Sequence, residues 1–195
     1  MRKLFSFIIV LLLSLNAQSC MEGNASAQSN SQKLEGLNIG DKLPNIAMKN
    51  EQGKEIELSA LKGKIVLVDF WASWCSPCRR ENKHLVQSYG KYKRANFKNA
   101  NGFEIFSISL DGGIDRRGNK ILDGKERWSQ AITDDNLNWP YHVSELNGWE
   151  SEIVNSFEIQ GIPTNYLIDA HGKIIAKNLR SEALNIQLEK LLNRS

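Results

Sequence analysis

The feature that most constrains the fold is a strand of the buried type followed at once by two cysteines. Residues 65–71 read IVLVDFW, a nearly unbroken apolar run that begins with β-branched residues, and Cys75 and Cys78 follow. Such a run suits a central strand that is covered on both faces. Because Pro is tolerated in a first helical turn, a helix is expected to begin around Ser76 or Pro77. The cysteines are therefore expected at a strand-to-helix junction.

Hydrophobic patterns elsewhere complete an α/β domain. The other expected strands are residues 46–48, 56–58, 103–110, 166–169 and 173–176, and the other expected helices are residues 126–132, 152–157 and a C-terminal segment with Ser181 as its N-cap. Parallel central strands joined by right-handed crossovers are the ordinary solution for this order of elements. The segment from Asp111 to Gly124 is rich in Gly and charge, and we expect it to be a solvated surface loop.

The spacing of the two cysteines favours redox chemistry over a structural role. A bridge between Cys75 and Cys78 would close almost no loop, so it would remove little entropy from the unfolded chain. A zinc site needs about four ligands, and the three histidines lack ligand spacing. Covalent haem attachment would need His after the second cysteine, where this chain has Arg79. A static disulfide remains as the structural alternative, and neither a metal nor another cofactor is expected.

The junction itself predicts different roles for the two thiols. Cys75 should lie at the N-cap or in the first turn of the helix, where unpaired N–H groups and the helix dipole favour a thiolate. Cys78 lies on the same helical face, close enough to form a disulfide. We therefore expect Cys75 to be the exposed nucleophile and Cys78 the more buried, resolving thiol.

The N-terminus has the pattern of an export signal. A basic head at residues 1–3 precedes an apolar run, residues 4–15, that is shorter than the roughly 20 residues needed to span a bilayer. We predict a signal peptide over residues 1–19, a flexible tether over residues 20–38 and one domain over residues 39–195. Without the signal, 23 basic residues face 22 acidic ones, so nothing argues for a nucleic-acid partner.

Two cleavage sites are compatible with this signal. Residues 17–20, AQSC, resemble the processing site of a bacterial lipoprotein, in which Cys20 would become the lipid-carrying N-terminus. We favour this site, although cleavage after Ala27 is the alternative because residues 25–27 form an A-x-A pattern. Either route predicts an extracytoplasmic domain in the periplasm or cell envelope.

The stretch over residues 68–78, VDFWASWCSPC, closely resembles the active site of thioredoxin-fold proteins. Its continuation to Glu81, the export signal and the N-terminal hairpin resemble the TlpA/ResA branch, and residues 161–164, GIPT, resemble the cis-proline loop of the fold. The resemblance runs from about Gly40 to Leu192. It implies a thioredoxin fold: a central mixed sheet flanked by helices, with an N-terminal β-hairpin extension and a βα insertion.

The resemblance also implies roles for two acids. Asp69 lies in an apolar strand, where a carboxylate is costly unless it is neutralised or functional, and the matching acid of thioredoxin takes the proton of the resolving thiol. The alternative is a satisfied acid at a strand end. Glu81 matches an active-site glutamate of the ResA-like group and would relay protons. Its alternative is a first-turn acid that complements the helix dipole.

Three further residues are expected to bind substrate. If Pro163 is cis, as the resemblance implies, Ile162 presents backbone groups to an extended substrate beside the cysteines. Trp74 would shield Cys75 and supply apolar contact, with ordinary core packing as the alternative.

The function implied is an extracytoplasmic thiol–disulfide oxidoreductase that reduces protein disulfides, with apocytochrome c as one possible substrate class. Residues 76 and 77, between the cysteines, supply no histidine to stabilise a thiolate strongly, which favours the reductase direction. A membrane-bound donor would re-reduce the pair, and we expect a monomer. The alternatives are a thiol peroxidase, although the Pro and Thr that it would need before the cysteine are absent, and a tethered peptide-binding module without turnover.

Overall fold

The computed structural model describes residues 35–114 and 117–193. The predicted signal peptide and Cys20, the favoured lipidation site, lie outside the described residues. The end of the predicted tether, residues 35–38, belongs to the described residues and is hydrogen-bonded to the domain. Gly36 N–H donates to the carbonyl of Lys42 at 3.1 Å, and the carbonyl of Leu37 accepts from Lys177 Nζ at 2.8 Å.

Seven strands and four α-helices are formed by the described residues. In chain order they are β1 Ala47–Lys49, β2 Glu55–Glu57, β3 Ile65–Trp71, α1 Ser76–Tyr92, β4 Phe103–Ser109, α2 Gly124–Asp134, β5 Tyr141–Ser144, α3 Glu152–Ser156, β6 Thr164–Ile168, β7 Ile174–Lys177 and α4 Glu182–Leu191, with a short 3₁₀ helix, Leu58–Leu61, after β2. Within the part of the chain that the structure describes, no helix is both long and apolar enough to cross a membrane.

Five of the strands form one mixed sheet in the order β5-β4-β3-β6-β7. Strands β3, β4 and β5 run parallel, whereas β6 pairs antiparallel with β3 and β7 antiparallel with β6. Strands β1 and β2 form a separate antiparallel hairpin, as predicted. The architecture is therefore the predicted α/β class, with the central mixed sheet that the family resemblance implies.

The core is built around β3 and β4. Every residue of both strands is buried, because each strand has a neighbour on either side and is covered on both faces. The largest fully buried side chains include Trp71, Phe70, Phe106 and Leu85 of α1. Burying a side chain of this size stabilises the fold by roughly 1.5–3 kcal/mol. The C-terminal end of β3, where Cys75 follows, is consequently a rigid platform.

Three local expectations need correction. Strand β5 is not foreseen by the sequence analysis, because it has only four residues and two of them, His142 and Ser144, are polar although they are buried. Ser181 is the N-cap residue of α4, but its side chain makes no capping hydrogen bond, because its backbone φ of +47° departs from the extended conformation of a capping serine. Its N–H donates to Glu81. The loop after β4 is exposed at residues 117–120, 122 and 123 but is buried at both ends, at Asp111, Gly112 and Gly124.

Candidate active site

Cys75 is the N-cap of α1, and its side chain is joined to Cys78 by a disulfide with Cα atoms 5.2 Å apart. The helix begins at Ser76, as predicted, with Pro77 in its first turn. The backbone N–H of Cys78 points at Cys75 Sγ, 3.2 Å away. Thus one unpaired N–H of the helix N-terminus is directed at the sulfur of the first cysteine.

The two cysteines differ in burial less than predicted. Cys78 is 1% exposed and Cys75 is 5% exposed, so the order is as predicted, but the expectation that Cys75 is exposed is wrong for this disulfide form. Two contacts explain the burial: the disulfide turns Sγ toward Cys78, and the carbonyl oxygen of Ile162 lies 3.8 Å from it. Access to Cys75 is therefore governed by the loop that contains Ile162.

That loop has the predicted backbone geometry. The peptide between Ile162 and Pro163 is cis, and residues 161–164 are half-buried. The hydroxyl of Thr164 donates to the carbonyl of Gly161 at 2.6 Å and closes the turn. The loop therefore places main-chain groups of Ile162 directly beside Cys75.

Asp69 is buried in the middle of the sheet, between Ser107 of β4 and Asn165 of β6. Burial raises its pKa from 3.8 to about 7; Arg180 and a hydrogen bond from Asn165 oppose the increase, and the charge of Glu81 adds to it. No described residue makes a hydrogen bond with Asp69 Oδ1. A carboxyl with a pKa of about 7 changes protonation near neutral pH, and Asp69 Oδ1 is available to accept a proton.

Glu81 lies on the buried face of α1, as predicted, and is itself buried. Its Oε1 accepts a hydrogen bond from the backbone N–H of Ser181 at 2.6 Å. The carboxylate thereby meets an N–H at the start of α4 that would otherwise lack an intrahelical partner. Its relay role stays a prediction, and the structure adds a bond that joins two helices.

Two residues that the sequence analysis missed belong to this cluster. Arg180 donates hydrogen bonds to the carbonyls of Pro163 and Leu179, so it joins the cis-proline loop to the segment before α4. Asn165 exchanges hydrogen bonds of 2.8 and 2.9 Å with the backbone of Leu179. Asn165 could have been flagged as a polar residue within an apolar strand, as Asp69 is, but no local pattern marks Arg180.

The turn before Cys75 is anchored by a third missed residue, Asp111. Its carboxylate accepts hydrogen bonds from the N–H of Ser73 at 2.9 Å, from the Ser73 hydroxyl and from the hydroxyl of Ser109 at 2.6 Å. Arg79 binds the same turn from the other side, because it donates to the Ser73 carbonyl at 3.3 Å while paired with Asp135. The turn is thereby fixed to β4 and to α2.

Trp74 lies on the surface beside Cys75, with 36% of the residue exposed. Its ring centroid is 6.3 Å from that of Trp149, and the two ring planes meet at 50°. This position is not that of an ordinary core residue. Trp149 is a further residue that the sequence analysis did not single out.

Comparisons with known proteins agree with this geometry. A model of the AhpC/TSA family matches residues 39–177. The chain is 30% identical to the thiol-disulfide oxidoreductase ResA of Bacillus cereus (strain ATCC 10987 / NRS 248) over 99% of this chain and 96% of that protein. A solved thiol-disulfide oxidoreductase from Bacteroides fragilis NCTC 9343 superposes with a TM-score of 0.64 and 34% identity, covering 78% of this chain and all of that one.

A thiol:disulfide interchange protein from Bacteroides sp. is similar to the same extent. It superposes with a TM-score of 0.64 and 34% identity, over 82% of this chain and 93% of that one. The thioredoxin-like fold that the resemblance implies is therefore confirmed. With its Cys75–Cys78 pair, the chain belongs to the AhpC/TSA family and to the ResA-like thiol–disulfide oxidoreductases.

Proposed function

We propose that this thiol–disulfide oxidoreductase works outside the cytoplasm as a reductase of protein disulfides, with Cys75 as the attacking thiol. The observation that carries the proposal is the N–H of Cys78, directed at Cys75 Sγ from 3.2 Å. After reduction, the same N–H would stabilise a thiolate at Cys75. None of the described residues donates a hydrogen bond to Cys78 Sγ, and Cys78 lies deeper.

The reaction runs in two exchanges. The Cys75 thiolate attacks one sulfur of the substrate disulfide; that S–S bond breaks, a mixed disulfide forms and the first substrate thiolate leaves. Cys78 then attacks Cys75 Sγ, the mixed bond breaks and the second substrate thiolate leaves. Two electrons have passed to the substrate, and the protein ends with the Cys75–Cys78 disulfide of this structure.

Asp69 is the proposed base for the second exchange. Cys78 must lose its proton before it can attack, and a group whose pKa is about 7 is well matched to accept a proton at neutral pH. Glu81 contributes to the same electrostatic cluster, since its charge raises the pKa of Asp69. We propose that Glu81 passes the proton between Asp69 and solvent.

The cis-proline loop is the proposed docking edge for substrate. An extended peptide beside Cys75 would pair with the backbone of Ile162, and Pro163 would mark where this edge begins because it has no N–H to donate. The half-burial of residues 161–164 supports this role, because the loop is both held in place and reachable from solvent.

The export signal supports a place in the periplasm or cell envelope, with a lipid on Cys20 as the proposed anchor. A membrane-bound dithiol donor would return the disulfide to the reduced form, and apocytochrome c awaiting haem is a proposed substrate class. Fractionation of cells that produce the wild type and Cys20→Ala tests the anchor. The variant should leave the membrane fraction if Cys20 carries the lipid, and should stay there if it does not.

Turnover and direction are tested together by insulin reduction and by equilibration with glutathione. Cys75→Ala and Cys78→Ala should both lose insulin reduction, and equal activity in all three proteins would contradict the proposal. The reduction potential should lie closer to the thioredoxin value of about −270 mV than to the strongly oxidising value of about −120 mV. Peroxide consumption by the same variants tests the alternative, a thiol peroxidase.

A further inference from the structure

The rim of the site beside Cys75 is aromatic. Trp74 is 36% exposed, and its ring meets the half-buried ring of Trp149 at 50° with centroids 6.3 Å apart. Two tilted rings at this distance are in contact with each other, so together they present one apolar surface. Exposed tryptophans in a binding region are among the side chains that contribute most to recognition.

One buried residue sets the positions of both rings. The carboxylate of Asp111 binds Ser73, the neighbour of Trp74, while the carbonyl of Asp111 accepts the N–H of Gly148, the neighbour of Trp149, at 3.3 Å. Asp111 is completely buried. The two tryptophans, 75 residues apart in the chain, are thus positioned from a common support.

The segment that follows Asp111 and the segment that precedes Trp149 pass so close to each other that their backbones leave no room for side chains. A Cβ added at Gly112 would lie 2.2 Å from the carbonyl oxygen of Leu146, and one at Gly148 would lie 2.6 Å from the carbonyl oxygen of Gly112. A Cβ at Gly124, the first residue of α2, would lie 2.4 Å from Gly112 Cα. Contacts this close require glycine at all three positions. This close crossing of the two segments therefore holds the loop that ends at Trp149 in place.

A further apolar residue, Ile162, lies close to Cys75. Ile162 packs partly against the core and has its carbonyl 3.8 Å from Cys75 Sγ. A substrate that pairs with Ile162 would cross Cys75 and direct a neighbouring side chain toward Trp74 and Trp149. Two charged groups of the region are engaged within the protein: Arg79 is bound to Asp135, and Glu145 accepts backbone N–H groups of α3.

We propose that Trp74 and Trp149 form an aromatic patch that binds a large apolar side chain, aromatic or aliphatic, next to the disulfide of the substrate polypeptide. Trp149 is the residue that determines this specificity. The inference rests on the proposed function, because it assumes that an extended peptide docks at Ile162 and is attacked by Cys75.

The test uses two disulfide-bonded peptides that differ only in the residue beside the attacked cysteine, Phe in one and Ser in the other. Their reduction by the reduced protein is followed under steady-state conditions to obtain kcat and KM. The wild type should prefer the Phe peptide by about 10-fold in kcat/KM, mostly through KM, as expected for a side chain that gains apolar contact when it binds. In Trp149→Ala this ratio should fall to about 1, and in Trp149→Phe most of it should return.

Controls distinguish binding at the aromatic patch from the disulfide exchange itself. Leu122→Ala removes another exposed apolar side chain, one on the loop before α2, and should leave the wild-type ratio intact. If the wild type reduces both peptides with a ratio near 1, the proposal that the aromatic patch binds an apolar side chain is overturned, and the proposed function is not affected. Failure of the wild type to reduce either peptide would instead contradict the proposed function.

Two outcomes for the variant decide the role of Trp149. A ratio in Trp149→Ala equal to that of the wild type would overturn the assignment. If Trp149→Ala does not fold, Trp149→Gln, which keeps more of the side chain without the ring, replaces it in the same measurement with the same expected loss.

Discussion

Glu81 Oε1 accepts a hydrogen bond of 2.6 Å from the backbone N–H of Ser181, a residue 100 positions later in the chain. This bond joins the helix that carries the cysteines to the start of α4. Glu81 could therefore be required for folding, for proton transfer or for both. The two roles respond differently to replacement by Ala and by Gln.

Glu81→Ala should lower the free energy of unfolding by about 1–3 kcal/mol, because the partly buried N–H of Ser181 loses its acceptor. Glu81→Gln keeps an acceptor oxygen, so it should stay within about 1 kcal/mol of the wild type while turnover falls at least about 10-fold, since an amide cannot relay a proton. Chemical denaturation and insulin reduction measure the two effects. Full turnover in the Gln variant would leave Glu81 with only the structural role.

Asp69 should make stability depend on pH. Its pKa in the folded protein is about 7, above the ordinary 3.8, so the folded state binds the proton more tightly than the unfolded state does. Asp69 therefore has no effect below about pH 4, destabilises the fold increasingly from about pH 4 to 7, and costs up to roughly 4 kcal/mol above that range.

Asp69→Asn should abolish this dependence. In the oxidised protein, the free energy of unfolding of the variant should match the wild type near pH 4 and exceed it increasingly up to about pH 7. Denaturation at a series of pH values measures the difference, and Asp134→Asn, at an exposed carboxyl of α2, is the matched control. Parallel curves for the wild type and Asp69→Asn would show that burial does not perturb this acid.

Arg180, which is hydrogen-bonded to the cis-proline loop, should lower the pKa of Asp69. Its charge opposes the increase in the pKa of Asp69, so Arg180→Ala should raise that pKa further. The pH at which release of the second substrate thiolate is half-maximal should then rise by about one unit. Arg180→Lys, which keeps the charge, should restore most of the profile. Arg94→Ala, at an exposed arginine after α1, should not change it, and an unchanged profile in Arg180→Ala would contradict the electrostatic role.

Gly112 lies in the crossing beneath Trp149, whereas Gly118 lies in the exposed part of the loop before α2, and the two glycines have nearly the same backbone φ. Gly112 has φ +79° and Gly118 has φ +81°, but a Cβ would meet Leu146 at the first and nothing within 4 Å at the second. Gly118→Ala should cost about 1–2 kcal/mol from conformation alone. Gly112→Ala should cost about 1–3 kcal/mol more because of the clash. Equal losses in thermal or chemical unfolding would show that the crossing can relax.

Local patterns were enough to predict the elements that carry the cysteines. Strand β3 is an apolar run that is buried at every position, and α1 begins where Pro77 fits a first turn. Asp69 could be singled out because a carboxylate in such a strand requires an explanation. These signals lie within a few residues of one another, so they could be recognised without knowledge of the fold.

Other parts of the site depend on contacts between distant segments. The polar side chains of β5 find their partners only in the fold: His142 Nε2 lies 3.0 Å from the carbonyl of Leu137, and the hydroxyl of Ser144 donates to the carbonyl of Ser109 at 2.8 Å. Arg180 and Trp149 reach the site from loops that no pattern marks. The low exposure of Cys75 likewise follows from a loop 87 residues away.

The assignment of Cys75 as the attacking thiol is tested most directly by trapping its mixed disulfide. Reduced Cys78→Ser and reduced Cys75→Ser are each mixed with a disulfide-bonded peptide, and the adducts are mapped by peptide mass spectrometry. We predict that Cys78→Ser accumulates the peptide on Cys75, because nothing resolves the adduct, and that Cys75→Ser accumulates almost none. An adduct that forms as fast on Cys78 in Cys75→Ser, or none in either variant, would contradict this account.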